Sequence, residues 1–399
     1  MKSFINLNKN MKFYLSSLAI YYFAMNLSGI FINIYLWKAR HNIIDVAWYN
    51  MYYSFIIPIV CIAAGWIIKR KSAVLSYRIG IILEVFFYML LLYLKTDSIK
   101  YLWLIGGIKG MSASLYAMGM HTMMYDFSKQ DEYSIIFSYN SIFSNVSVLT
   151  APLITGIILM LIPSQAGYSV VFSCSVLLYA ASIIMTLKIH VNNKATPYEI
   201  SELFRGKDKR RMMMNITYGL TAMKAIIISF LINLLLYIQT NSEFSIGAFS
   251  SLAGISSILI IYIIGRRIDI KNRYGILQFS TFAVVLSVAG LLFKISTLTI
   301  LFYIILSSMF ESLIGIVQNS MYFEVIKSDQ NNEKFRVEYI INREFPIAAG
   351  RITGLLAFIL FKGILNNLTL LKIVIFILEA NYIWVWLILK KSNPDKQMN

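Results

Sequence analysis

Six charged side chains stand well inside stretches that are otherwise apolar: Lys109, Lys224, Glu311, Glu344, Arg351 and Glu379. Lys224 lies in TAMKAIIISFL and Glu311 in IILSSMFESLIGIV. A charge at the centre of a bilayer costs about 2.5 to 3.5 kcal/mol by insertion scales, so such residues are functional candidates by default. A carboxylate near an ammonium can do either of two things there. It can clamp helices together as a salt bridge, or it can release and regain a proton as its surroundings turn from wet to dry. Four further charges, Glu84, Asp126, Glu324 and Arg343, fall nearer the expected cytoplasmic ends of their runs.

The elements that must position these groups follow from composition. The chain has 399 residues, 58% hydrophobic and only 14% charged, whereas soluble domains carry about 25% charged residues. Apolar runs long enough to cross a hydrocarbon layer of about 30 Å recur along the whole length. Twelve such spans lie near 13–37, 46–68, 73–94, 101–126, 134–162, 168–189, 213–238, 246–265, 275–293, 298–326, 338–361 and 369–389. The first is too long for a signal-peptide core and reads as a retained helix. Cys61 and Cys174 both sit in apolar runs, where a thiol packs as a small hydrophobe.

The net charge of +17 is a topology signal rather than a nucleic-acid footprint. With both termini in the cytoplasm, most of the Lys and Arg fall in inner segments, as the positive-inside rule requires. Nothing in the sequence resembles a nucleotide loop, a zinc cluster or a catalytic triad, so an enzyme is not expected, nor a cofactor or metal.

The longest polar connection, HVNNKATPYEISELFRGKDKRRM, follows the sixth span. It divides the chain into an N-terminal six-helix bundle over 1–190, a central cytoplasmic loop over 191–212 and a C-terminal six-helix bundle over 213–399. The halves repeat at an offset of about 200 residues. SLYAMGMHTMMYDF from Ser114 matches SLIGIVQNSMYFEV from Ser312, which sets Asp126 on Glu324. PLITG from Pro152 matches GRITG from Gly350, Asn33 falls on Asn233, and Gly65 with its KRK falls on Gly265. Six spans is an even number, so the two halves share one orientation about an axis along the membrane normal.

Twelve spans in two parallel repeats, a basic central loop, and the loop sequence GRRIDIKNR after span eight together resemble the major facilitator superfamily. The family's loop signature, a glycine, three residues, an aspartate and then basic residues, is matched by Gly265, Asp269, Lys271 and Arg273. The N-half copy, GWIIKRKS, keeps Gly65 and Arg70 but has Lys69 where the aspartate would stand. The resemblance implies a gating role for this loop and for the repeat-related acids Asp126 and Glu324. Solvated helix ends and leaflet anchoring are the plain alternatives for the same residues.

In the family fold, helices 1, 4, 7 and 10 line the central cavity, which the resemblance extends to Lys109, Lys224 and Glu311. Glu311 is expected to pair with one of these lysines, either as a packing bridge or as a proton and substrate site. Glu344 and Arg351 share a helix face, with Pro346 between them. Asn33, Asn233 and Gln318, together with Asn26 and Asn319, are polar groups that a lipid-facing surface would avoid. They are expected to contact substrate or to bond between helices. Tyr116, Met120 and Met123 suit an adaptable lining or an ordinary core, and His121 reads as a packing histidine. Glu379 finds no role by resemblance, because helix 12 is peripheral.

The function that follows is secondary active transport of a small molecule across the plasma membrane by alternating access, as proton-coupled efflux by a monomeric antiporter. An importer of a small anionic solute is the alternative within the same fold. A non-transporting membrane or lipid-handling partner is the alternative outside it.

Overall fold

The structure, a computed structural model, describes residues 8–126, 133–189, 197–203, 209–264, 268, 272–327, 332–361 and 367–392. The described residues are helical almost throughout. Within a bilayer each backbone N–H and C=O must find its partner inside the chain, and a helix satisfies both locally.

The helices in chain order are α1 (Lys9–Arg40), α2 (Ile43–Arg70), α3 (Ala73–Leu94), α4 (Leu102–Asp126), α5 (Tyr133–Leu161), α6 (Gln165–Leu187), α7 (Ile200–Leu203), α8 (Lys209–Thr240), α9 (Glu243–Ile263), α10 (Arg273–Ser287), α11 (Ala289–Phe293), α12 (Thr297–Lys327), α13 (Asn332–Leu360) and α14 (Leu368–Lys391). A 3₁₀ turn over Lys95–Tyr101 joins α3 to α4. Short polar residues start several of them. Asn8, Asn42, Ser72 and Asn367 each accept a hydrogen bond from a first-turn amide of the helix that follows.

Among the described residues ten stretches are long and apolar enough to cross a membrane, one of which, Ala73–Met124, holds both α3 and α4. Helix α13 is absent from the ten. Its first half carries Lys334, Arg336, Glu338, Arg343 and Glu344, which depress its apolar character.

The structure refines the sequence-drawn elements in one place. The central loop is not wholly polar connection: α7 forms within it, with Leu203 fully buried, and α8 already begins at Lys209. Span nine is one stretch, Arg273–Phe293, in which α10 passes into α11 through Val288 with its backbone still helical (φ −75°, ψ −19°).

The chain clusters into two compact units. Unit 1 comprises Met1–Ile200 with Ser242–Ala248, and unit 2 comprises Ser201–Asn241 with Phe249–Asn399. In unit 1, α4 packs on α2 and α3, and α1 packs on α5 and α6. In unit 2, α8 packs on α13 and α14, and α10 packs on α12 and α14. Several crossings are close enough to require glycine, and two of them bear on the charged residues. A Cβ at Gly119 would stand 2.6 Å from the Tyr77 amide nitrogen, and one at Gly350 would run into the carbonyl of Gly219. The first crossing brings α3 against α4, and the second brings α8 against α13.

Candidate functional site

Among the described residues each unit holds a charged cluster at mid-helix depth. In unit 1, the close α3/α4 crossing lets Lys109 Nζ donate to both carboxylate oxygens of Glu84, at 2.9 and 2.7 Å. Only 1% of the Glu84 side chain and 14% of Lys109 are exposed. The ammonium also stands 5.1 Å from the Phe87 ring centroid and 5.4 Å from that of Tyr88. Tyr21 Oη reaches Glu84 Oε1 at 3.5 Å. One acid meets one base, and both oxygens of the acid are held.

Helices α1, α4 and α6 meet around tyrosine rather than charge. The Tyr21 and Tyr116 rings stack with centroids 3.5 Å apart, and Tyr179 stands edge-on to Tyr21 at 5.2 Å. Tyr22 donates to Asn140 at 2.8 Å, and Ser28 joins Tyr88 at 2.5 Å. These two bonds tie α1 to α5 and to α3.

In unit 2, one lysine meets two acids. Lys224, midway along α8 and 2% exposed, donates to Glu311 of α12 and lies 3.1 Å from Glu379 of α14. Tyr303 of α12 donates to the same oxygen, Glu379 Oε1. The other oxygen, Oε2, is buried and has no hydrogen-bond partner. Glu379 is fully buried, whereas 30% of Glu311 is exposed. Tyr382 packs its ring 5.1 Å from the ammonium. With all three groups ionised the cluster would carry one excess negative charge at mid-helix depth.

The other sequence-selected residues sort into three sets. Arg273, at the start of α10, donates from Nη1 to both carboxylate oxygens of Glu324 of α12, at 2.7 and 2.8 Å. Arg70 stacks its guanidinium 5.2 Å from the ring of its neighbour Trp66, and Gly65 is buried within α2. Gly265, Asp269 and the side chain of Asp126 lie outside the described residues. Glu344 is held by the adjacent Arg343 at 3.3 Å, and that arginine lies 5.2 and 5.4 Å from the rings of Tyr218 and Tyr322. Arg351 is half-buried farther along α13. Pro346 stands within α13, while the backbone of that helix leaves helical values at Phe335 (φ −111°, ψ 16°).

The amide side chains bond mainly within the bundles. Asn33 accepts from Asn50 at 3.0 Å, and Gln318 donates to Thr217 at 2.9 Å, tying α12 to α8. Asn233 donates to the Ser229 carbonyl of its own helix at 2.6 Å.

Two expectations are corrected. Glu84 is not at a helix end but deep in α3, and the ion partner of Lys109 is this acid. Glu379, without a role by resemblance, is the second acid on Lys224. The span bounds already put Glu84 near the middle of its run, and that was the available signal. A third pair was not foreseen: Lys38, in the last turn of α1, meets Glu243 at 2.6 Å, with Tyr168 Oη 3.3 Å from the same oxygen.

The family model for the Major Facilitator Superfamily matches residues 14–332. The chain belongs to that superfamily. As a member of this family of membrane transporters, it is a multi-pass membrane protein built for transport, and its fold is the all-helical one of that superfamily. Among relatives, the uncharacterized protein YqgE of Bacillus subtilis (strain 168) is 26% identical over 365 residues, which cover 91% of this chain and 85% of that protein. Among solved structures, the nucleoside transporter NupG superposes with a TM-score of 0.73 at 13% identity, covering 96% of this chain and 100% of the other. A bacterial homologue of the iron transporter ferroportin in its inward-facing state gives a TM-score of 0.68 at 12% identity, over 96% of this chain and 98% of that one. Likeness at such identities shows the superfamily fold alone.

Proposed function

We propose that this protein is a secondary active transporter that exports a small, partly apolar molecule across the plasma membrane by alternating access, driven by inward proton flow. The observation that carries the coupling is the cluster in which Glu311 and Glu379 share Lys224. Charge in a membrane interior is neutralised wherever possible. A cluster one positive charge short therefore has a place for a proton, and a transport cycle that changes the wetness of the site gives that proton reason to come and go. The unit 1 pair, already neutral and fully bonded, supports a packing role for Lys109 and Glu84. An anionic solute is less well suited, because the excess charge beside Lys224 is negative.

The gate falls to the inner ends of α10 and α12, where Arg273 clasps Glu324, together with the loop bearing Gly265 and Asp269. Both termini lie in the cytoplasm, and the working form is a monomer of two six-helix bundles. Tags placed at Lys2, near Lys194 and after Lys396 are expected to report cytoplasmic, and one external report overturns that topology.

Transport is tested first by comparing growth inhibition and metabolite release in cells with and without the protein. The compound whose release depends on the protein is then followed in everted membrane vesicles under an imposed pH gradient. Accumulation that a protonophore abolishes is the expected result. Flux that ignores the gradient overturns the coupling, and the absence of any protein-dependent flux favours the non-transporting alternative.

A further inference from the structure

We infer that the coupling proton sits on Oε2 of Glu379, not on the more exposed Glu311, and that Lys224 is the group whose movement between the two acids releases it. This rests on the proton-coupled reading above and names the atom that reading leaves open.

The two acids differ in what surrounds them. Glu311 bonds Lys224, and 30% of its side chain is exposed, so both a cation and water can stabilise its charge. Glu379 is fully buried, and only one of its two oxygens is served. Oε1 accepts from Tyr303 and faces Lys224 at 3.1 Å, while Oε2 has neither a donor nor solvent. An ionised carboxylate spreads its charge over both oxygens, so a bare Oε2 forfeits the desolvation free energy of half an anion. A proton on Oε2 removes that charge at the oxygen with no donor. The arrangement then holds Lys224 and Glu311 as a neutral pair beside a neutral acid.

Among the described residues no other group supplies the missing charge. From α8 the group facing Glu379 is Lys224, and from α12 they are Tyr303 and Glu311. On α14 itself Tyr382 lies over Lys224, and Lys372 near the start of the helix bonds the carbonyls of Leu292 and Phe293. Helix α10, packed against α14, brings Arg273 and Tyr274 only in its first turn, where Arg273 is committed to Glu324. Helix α11, with the sequence AGLLF, brings none.

The release step balances without any further reactant. The O–H bond of Glu379 breaks, its electron pair stays on Oε2, and the proton passes to water. The Lys224 ammonium turns from Glu311 to Glu379 and takes over as counter-charge, leaving the Glu311 carboxylate to solvent or to a positively charged group of the substrate. Uptake is the reverse. Burial of both Lys224 and Glu379 restricts the exchange to conformations that admit water, which ties proton movement to the transport cycle.

Infrared difference spectroscopy of the purified protein tests the assignment without a substrate. The parent-minus-Glu379→Gln spectrum at neutral pH is expected to show the carbonyl stretch of a protonated carboxyl group. In the parent, Tyr303 bonds the oxygen that becomes that carbonyl, so Tyr303→Phe is expected to move the band to higher wavenumber. Absence of the band, or a band that Tyr303→Phe leaves in place, overturns the assignment, the second result putting the proton on Glu311. Failure of the coupling reading shows elsewhere: vesicle flux indifferent to the pH gradient, with the band present and shifted, leaves the proton seat standing and removes its use.

Discussion

The centre of unit 1 and the centre of unit 2 are built from corresponding helices and filled with opposite chemistry. By order within each half, α1, α4 and α6 correspond to α8, α12 and α14. Where the first three meet stand Tyr21, Tyr116 and Tyr179, a stack of rings. Where the second three meet stand Lys224, Glu311 and Glu379, a lysine with two acids. The charge in unit 1 is displaced to α3 and α4, where Glu84 and Lys109 cancel each other. A duplicated bundle fixes how helices pack, because packing needs only shape and small residues at the crossings. It does not fix where charge is kept. The pair in unit 1 balances one acid with one base, and the cluster in unit 2 holds one acid more than it has bases.

The largest effects are expected from removing the lysines. Lys224→Met strands the Glu311 carboxylate, and Lys109→Met strands that of Glu84. Removing one partner of a buried pair costs about 3 to 5 kcal/mol, so both variants should show a marked loss of thermal stability in detergent, with Lys109→Met the worse because Glu84 is 1% exposed and Glu311 30%. The double variants then separate the clusters. Lys109→Met with Glu84→Met replaces a neutral pair by apolar groups of similar size, and should recover stability and keep gradient-driven transport. Lys224→Met with Glu311→Gln should recover stability, yet transport should no longer follow the pH gradient. If the unit 1 double variant is also uncoupled, the contrast between balanced pair and proton site is wrong.

What the sequence made legible is the positions of charge, and what it hid is their pairing. Lys109, Lys224 and Glu311 stood out because each interrupts a long apolar run, a signal needing no tertiary information. The superfamily fold was legible on the same footing, from span count, repeat and the loop after span eight. Partner choice depends on which helices cross closely, and that is set by features such as Gly119 against Tyr77, which leave no charge pattern. Glu379 was opaque for a related reason. Its helix was expected at the periphery, whereas α14 packs directly on α8 and turns Asn381 to the Leu220 carbonyl at 2.7 Å. Placing the acid there required knowing that face.

Intermediate effects are expected at the helix crossings. A Cβ at Gly350 meets the Gly219 carbonyl, and both partners are backbone, so neither can rotate away. Gly350→Ala should therefore force α8 and α13 apart, at about 1 to 3 kcal/mol for an overpacked contact, read as a lower melting temperature. Gly119→Ala at the α3/α4 crossing should lower stability similarly, because its Cβ would also meet backbone. The functional consequences should differ. Widening α3/α4 loosens only the balanced pair, while moving α8 shifts Lys224 relative to its two acids and should weaken pH-driven accumulation beyond the loss of folded protein. Equal loss of accumulation per folded molecule in the two variants would blur the distinction between the units.

The smallest expected effects are the most discriminating, because they touch one hydroxyl on each acid. Tyr21→Phe removes a contact of 3.5 Å to Glu84, whose two oxygens are already held by Lys109. It should change stability by less than about 0.5 kcal/mol, since a bond at the limit of hydrogen-bonding distance adds little. The pH profile of transport should stay where it is. Tyr303→Phe removes a donor to Glu379 Oε1, with a stability change of about 1 kcal/mol. Its effect on proton exchange has a definite sign. A hydroxyl bonds a carboxylate more strongly than a carboxylic acid, so its loss weakens the ionised form more than the protonated one. Release of the proton then requires a higher pH. The pH profile of gradient-driven accumulation in Tyr303→Phe should move upward relative to the parent, with Tyr21→Phe superimposing on the parent curve. A displaced curve for Tyr21→Phe, or an unmoved one for Tyr303→Phe, would mean that the two acids do not divide packing and proton transfer between the units as their surroundings indicate.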